Sequence, residues 1–181
     1  MNLKDNKSSV NFNEKYPLFT CTYPNADEIN RSLEQAIKAN GDEKKYETNV
    51  KALMTSWYMW EGDKPGCESF REICEFACKV ALDNSPVKAW SPSVTHCWGA
   101  IYNKDEYTQQ HNHWPSLWSF TYYVKAPENC APIVFPGANK VVQPTSGMLC
   151  LFPGWVDHYV PRHEFDQDRI VVAGNISNAI T

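Results

Sequence analysis

From Val87 onward the chain is a succession of short strand-like segments cut by proline and glycine, and no other feature narrows its fold as far. The segments span 93–103, 118–125, 133–135, 140–142, 147–152 and 169–176. Many short strands joined by such turns predict a β-sandwich or a barrel. Two helices precede them. Residues 26–39 place Ile29, Leu33 and Ile37 at i, i+4 and i+8, and Asn40-Gly41 is a natural stop. Residues 69–82 carry a broad apolar face of Phe70, Ile73, Cys74, Phe76, Ala77, Val80 and Ala81. Both helices should pack on one outer face of a sheet. A further strand is expected at 16–23, and 50–60 is ambiguous. The 181 residues fit a single domain, 1–181, with 1–15 a loose polar arm and 87–177 a β core.

The β core carries three of the chain's five histidines, His111, His113 and His158. Residues i and i+2 of an extended strand point to one face, so His111 and His113 can reach one ion. His158 follows the run 148–152 and the turn Pro153-Gly154, and can close a third corner. Three protein ligands leave coordination positions open, the mark of a catalytic rather than a structural metal. No cysteine pairs flank these histidines as in a zinc finger, and no His-Glu-x-x-His is present. His96 and His163 read as surface or satisfied core residues. Asp157 is a neighbour of His158 and should face the other way. Asp105 and Glu106 stay open as alternative donors, while Asp166 and Asp168 read as a solvated turn. Arg169 opens an apolar strand eleven residues after His158. Alternation puts Arg169, Val171, Ala173 and Asn175 on one face, against Ile170, Val172 and Ile176 on the other.

The order His111-x-His113, a strand, Gly147-x-Leu149-x-Leu151-Phe152-Pro153, His158 and Arg169 resembles the iron(II)/2-oxoglutarate-dependent oxygenases. It is most similar to the small oxygenases of that superfamily in phages and marine bacteria. Pro115 (displaced by one), Ser116, Ser119, Tyr122, Tyr123, Trp155, Ile170 and Asn175 extend the match over roughly the C-terminal half, with a weaker echo at Thr48-Asn49-Val50 and Thr55-Ser56. Two departures stand out. Most of the superfamily has Asp or Glu where His113 stands, giving two histidines and a carboxylate around Fe(II). The residue two after the arginine often forms hydrogen bonds, and here it is Val171.

The resemblance implies a mainly β fold with N-terminal helices: a double-stranded β-helix, the cupin-like jelly roll, buttressed by two helices. It implies Fe(II), 2-oxoglutarate and O₂ as cofactors, with Fe(II) on His111, His113 and His158. Arg169 would grip the distal carboxylate of 2-oxoglutarate, since guanidinium is a planar fork that matches a carboxylate. Tyr122 and Tyr123 alternate faces, so one can donate to 2-oxoglutarate while the other packs. Asn103 and Asn175 are further candidates for that cosubstrate, and Trp114, Trp118 and Trp155 for a substrate wall. The implied reaction hydroxylates a C–H bond of an amino-acid, peptidyl or small-molecule substrate, releasing succinate and CO₂. It asks no general base of the protein. Two other classes stay open: a three-histidine cupin-type dioxygenase that needs no 2-oxoglutarate, and a non-catalytic jelly-roll binding module.

Composition excludes other roles. Net charge is −4, with no Lys/Arg block, which argues against a nucleic-acid partner. No apolar run approaches the ~20 residues of a membrane span. The first residues hold no apolar signal core, so a cytoplasmic protein is expected. Seven cysteines in that compartment should be free thiols. Cys67, Cys74 and Cys78 sit at helical spacing and read as small core residues.

Overall fold

The computed structural model describes residues 16–42, 48–85 and 89–179. The arm expected at 1–15 and the expected start of the β core at Val87 lie outside them. Strand β1 (Phe19–Thr22) precedes helix α1 (Ala26–Asn40). Two short strands, β2 (Val50–Lys51) and β3 (Leu53–Met54), lead to α2 (Cys67–Asn84). Then come β4 (Pro92–Tyr102), β5 (Tyr107–His111), β6 (Trp118–Lys125), β7 (Ile133–Phe135), β8 (Lys140–Val142), β9 (Met148–Pro153), β10 (His158–Val160) and β11 (Arg169–Asn178).

The strands form two sheets, a larger one in the order β1-β9-β6-β11-β4-β3 and a smaller one in the order β2-β5-β10-β7-β8. Every pairing between these strands is antiparallel. The larger sheet is buried on both faces. Trp118, Phe120, Tyr122 and Val124 of β6 turn toward the helices, where they meet Leu33 and Ile37 of α1 and Phe70, Ile73 and Ala77 of α2. Each fully buried Leu, Ile or Phe contributes about 1.5–3 kcal/mol, so this apolar stripe fixes the helices on the sheet. Gly99 of β4 lies against the Ile37 side chain, and a Cβ there would collide with it.

The other face of the larger sheet meets the smaller sheet. Trp98, Ala100, Tyr102, Tyr123, Phe152 and Val171 pack there against Ile133, Phe135, Val142 and Val160. A jelly roll of two facing antiparallel sheets with helices on one outer side is the architecture the sequence implies.

Strands β6, β7 and β8 have the expected bounds, and α1 and α2 extend slightly past theirs. The ambiguous 50–60 stretch splits into β2, β3 and a loop tied to β4. Cys97 N donates to Trp57 O (2.8 Å) and Met59 N to Cys97 O (3.1 Å). The segments read from the sequence do not include β5 or β10, although the histidine argument assumed extended chain at both places. The first carries exposed Gln109 and Gln110, and the second is three residues long, so neither shows an apolar run. All seven cysteines are free thiols. No helix among the described residues is long and apolar enough to cross a membrane.

Candidate metal centre

The smaller sheet brings two of the three histidines together by register. His111 ends β5, His158 begins β10, and the two are direct partners across the antiparallel pair. Such partners have Cβ atoms about 4.5–5.5 Å apart, and the two ring centroids are 4.4 Å apart. His113 lies outside the strand, contrary to the i, i+2 argument, which put it on one extended strand with His111. It sits two residues beyond it, in a turn. His113 N donates to Gly154 O (2.6 Å) and Ser116 N to His113 O (2.8 Å). Gly154 is required here, because a Cβ would run into Ser116 O and separate the two ligand-bearing loops. The His113 ring centroid lies 4.8 Å from that of His111 and 5.1 Å from that of His158.

One nitrogen from each ring lies within 4.8 Å of the other two. Neighbouring carbonyls set two of the tautomers. His111 Nδ1–H donates to Gln109 O (2.8 Å), and His158 Nδ1–H to Val156 O (3.0 Å). Each Nε2 is then a free lone pair, the arrangement that orients histidine ligands in metal sites. Burial holds all three rings neutral. It pushes His113 down to about 2 and His158 to about 3, with like neighbours adding to both, and it lowers His111 as well. Neutral imidazole is the form that binds a metal.

Among the described residues no carboxylate joins this cluster. Asp157 points away, as alternation requires, and accepts from Asn112 Nδ2 (2.8 Å) and Gln110 Nε2 (3.4 Å). Glu106, left open as a donor, instead accepts from Asn103 N (2.7 Å), and Asp105 is exposed in the same turn. Asp166 pairs with Lys104 at the surface (3.0 Å).

Arg169 is the second unusual feature. It is 1% exposed, in the same cavity as the three histidines. Its guanidinium lies over the rings of Tyr102 (4.7 Å) and Tyr123 (5.2 Å). Its Nε and Nη1, and the buried Tyr123 hydroxyl beside it, have no hydrogen-bond partner among the described residues. Burial and the nearby cysteines push the Tyr123 phenol up, outweighing the opposing pull of Arg169, so it stays a protonated donor. A buried guanidinium without an acceptor is costly. Its donors suit an anion in the cavity.

Several site candidates lie elsewhere. Tyr122 faces α1 and donates to Asn30 Oδ1 (2.7 Å), so Tyr123 is the tyrosine inside the barrel. Asn103 is exposed, and its amide points to Glu106 (3.4 Å). Asn175 is buried, but its Oδ1 accepts from Ser119 Oγ (3.0 Å) and it does not line the cavity. Trp118 packs on the helix side against Phe19 (5.9 Å). Trp155 is half exposed and lies against Tyr16 (5.6 Å). Trp114 is 74% exposed beside His113. His163 is a satisfied core residue, with Nε2–H donating to Gln167 O (2.5 Å).

The sequence reading missed Tyr102, Thr108, Trp98 and the placement of His96. Tyr102 is the register partner of Arg169, and its hydroxyl bonds Thr108 Oγ1 (2.7 Å). Trp98 lies 6.1 Å from His113. The signal for both was the alternation Trp98, Ala100, Tyr102 along β4. A register shift after Asn175 skips Thr95 and leaves Val94 against the helices and His96 beside Trp57 and Tyr58.

No family model matches the sequence, and no curated protein matches it. Solved structures do match. The viral collagen prolyl hydroxylase of Paramecium Bursaria Chlorella virus-1, in its 2OG complex, aligns over 94% of this chain and 99% of its own, with TM-score 0.63 and 16% identity. A 2OG-Fe(II) oxygenase family oxidoreductase of Burkholderia pseudomallei aligns over 88% and 84%, with TM-score 0.66 and 14% identity. The Trichoplax adhaerens prolyl hydroxylase, in complex with a hypoxia inducible factor peptide fragment, aligns over 87% and 83%, with TM-score 0.61 and 17% identity. The chain has the 2OG-Fe(II) oxygenase fold. Within that fold the two sheets are the halves of the double-stranded β-helix. In this oxygenase-fold chain, the histidine cluster and Arg169 share the space between them.

Proposed function

We propose that the chain is a non-haem Fe(II)- and 2-oxoglutarate-dependent oxygenase that hydroxylates a C–H bond. The substrate is an amino acid, a peptide or another small molecule, and succinate and CO₂ leave as products. The observation that carries this reading is the buried Arg169 with its unpartnered Nε and Nη1, in one cavity with three neutral histidines.

In this reading Fe(II) is held by His111, His113 and His158, and 2-oxoglutarate completes the centre. Together the two supply O₂ activation and the oxidising power for an unactivated C–H bond. The chain's own residues bind and orient. Gln109 O and Val156 O hold His111 and His158 in the tautomer that presents Nε2. Arg169 gives the distal carboxylate a two-pronged, charge-assisted hydrogen bond, and Tyr123 adds its hydroxyl. The rings of Tyr102 and Tyr123 hold the guanidinium in place and exclude water. A peptidyl substrate gains support from the peptide bound in the Trichoplax adhaerens neighbour. Work in the cytoplasm fits seven free thiols.

The second reading, a three-histidine dioxygenase without 2-oxoglutarate, is favoured by His113 standing where a carboxylate is common. It leaves Arg169 without a task. Anaerobic addition of Fe(II) and 2-oxoglutarate separates the two. We expect one Fe(II) per chain and a visible charge-transfer band that needs both ligands, lost in His158→Ala. Iron binding with no band, and no 2-oxoglutarate bound at millimolar concentration, would favour the second reading.

A further inference from the structure

The face of the larger sheet that meets the smaller one runs on past the cavity. On β4, β11 and β6 its residues stand in cross-strand rows. Tyr102 and Arg169 form the innermost row, and Trp98, Ala173 and Thr121 form one further out that still lines the cavity. The next row outward is His96, Asn175 and Ser119, beyond the cavity's lining. Their neighbours Cys97, Ile176 and Trp118 pack on the helix side, so these three turn the other way. Asn175 is six residues from Arg169 along β11, roughly 20 Å at a strand's rise of ~3.3 Å per residue. The Trp98 ring lies 6.1 Å from His113, so His113 faces the floor between the two ends.

Asn175 is 7% exposed and Ser119 1%. Ser119 Oγ–H donates to Asn175 Oδ1 (3.0 Å), which fixes the carboxamide and leaves its Nδ2–H without a partner among the described residues. A buried donor left unpaired is costly. His96 bonds through Nδ1 to Thr95 Oγ1 (3.2 Å), and its Nε2 has no partner among the described residues. The exposed rings of Trp57 and Tyr58 stand beside His96, at 6.3 and 5.6 Å, and Trp57 also packs against Trp98 (4.6 Å). Neutral donors next to exposed rings suit a carbonyl oxygen flanked by a flat apolar group. None of these five side chains is a lysine or arginine. A carboxylate seated there would lose its water without gaining a counter-charge. We infer that His96, Asn175 and Ser119, with Trp57 and Tyr58, seat an amide group of the substrate. Asn175 Nδ2–H donates to the amide carbonyl, Ser119 positions Asn175, and the apolar group beside that carbonyl lies on Trp57. The inference rests on the oxygenase reading above and deepens it, narrowing the substrate to one that carries an amide, either a peptide or a small carboxamide.

The test uses the full chain without added metal, so that its outcome does not depend on the triad. Phenylacetamide is the small-carboxamide probe, N-acetylphenylalanine methylamide the peptide probe, and phenylacetate the charged control. Binding is read by NMR from the assigned Asn175 side-chain amide and Trp57 indole signals of the labelled protein. An amide probe should move both signals with a Kd of about 1–10 mM. Asn175→Asp keeps an acceptor for Ser119 and removes the donor, so it should bind that probe at least ~10-fold more weakly. Shifts with phenylacetamide alone identify a small-carboxamide seat, with the methylamide alone a peptide seat, and with both a seat open to either. Phenylacetate binding as tightly as the amides would overturn the inference. So would an amide affinity in Asn175→Asp within about threefold of wild type. Should Asn175→Asp fail to fold, the wild-type titrations decide alone. Neither signal moving with either amide, up to about 50 mM, overturns the inference and leaves the oxygenase reading standing. A missing charge-transfer band in the separate Fe(II) and 2-oxoglutarate titration strikes the oxygenase reading, and with it the assignment of the bound amide as substrate.

Discussion

Replacing Arg169 with leucine should raise the stability of the ligand-free protein and abolish its response to 2-oxoglutarate. The two effects have one cause. The guanidinium is 1% exposed, and its Nε and Nη1 have no partner among the described residues. Stacking over Tyr102 and Tyr123 returns about 0.5–2 kcal/mol, against several kcal/mol of effective desolvation for a buried ion. A leucine there removes the deficit. With 2-oxoglutarate bound the balance reverses, because removing one partner of a buried charge pair costs about 3–5 kcal/mol. Affinity should then fall by roughly two to four powers of ten. At 100 times its Kd, a ligand stabilises the folded state by about 2.7 kcal/mol. For a chain of this size each kcal/mol moves Tm by about 2–4 °C. Anaerobic, Fe(II)-loaded wild type should therefore gain roughly 5–11 °C on adding 2-oxoglutarate. At the same ligand concentration Arg169→Leu should gain less than about 2 °C. The measurement is a thermal melt of both proteins, with and without the dicarboxylate. A structural arginine gives the opposite pattern, a lower Tm for the variant without ligand and an undiminished gain with it. That result would refute the reasoning.

The two tyrosines should separate cleanly. Tyr123→Phe should weaken 2-oxoglutarate about tenfold, the loss of one hydrogen bond to a charged group, with little change in fold stability. Tyr122→Phe should cost about 1 kcal/mol of stability through its bond to Asn30 and leave 2-oxoglutarate affinity unchanged. Isothermal titration and denaturant unfolding read the pair, and equal 2-oxoglutarate losses would reverse the assignment. The histidines set a pH dependence. His113 and His158 stay neutral in the folded protein down to about 2 and about 3, while the unfolded chain protonates near 6.5. The unfolded state therefore binds more protons in that window. Metal-free stability should be full above about pH 6.5 and fall steadily as the pH drops toward 3. Protons compete with a metal for His113 and His158 only near their low folded values, so these two ligands should stay available to the metal well into the acid range. A metal-free Tm that does not fall from pH 7.5 to 5.5, or falls equally in a His113→Gln/His158→Gln variant, would remove the triad from the account.

What the sequence revealed and what it hid follow from the same geometry. The triad and Arg169 stood out because neutral, charged and apolar residue types are so unequal in cost when buried. A histidine pair, a distant third histidine and an arginine opening an apolar strand are visible without knowing which strands touch. The face of each candidate is a different kind of information. Strands of the larger sheet are buried on both sides, by the helices and by the smaller sheet, so the alternation of Trp118, Phe120, Tyr122 and Val124 with Ser119, Thr121 and Tyr123 along β6 separates two buried faces without telling which one meets the cavity. Trp118 and Tyr122 were therefore indistinguishable from inward residues until the helices were placed on their side. The choice of Asn103 has a related cause. It is one residue past Tyr102, and a slip of one residue exchanges the two faces of a strand. Only the pairing of β4 with β11 sets Tyr102 opposite Arg169, and pairing register is a property of two strands, not of one. The same limit hid β5 and β10. Neither has an apolar run of its own. Pairing with neighbours holds them, β5 with β2 and β10, and β10 with β5 and β7, and the antiparallel register that sets His111 opposite His158 makes a site of two histidines 47 residues apart in sequence.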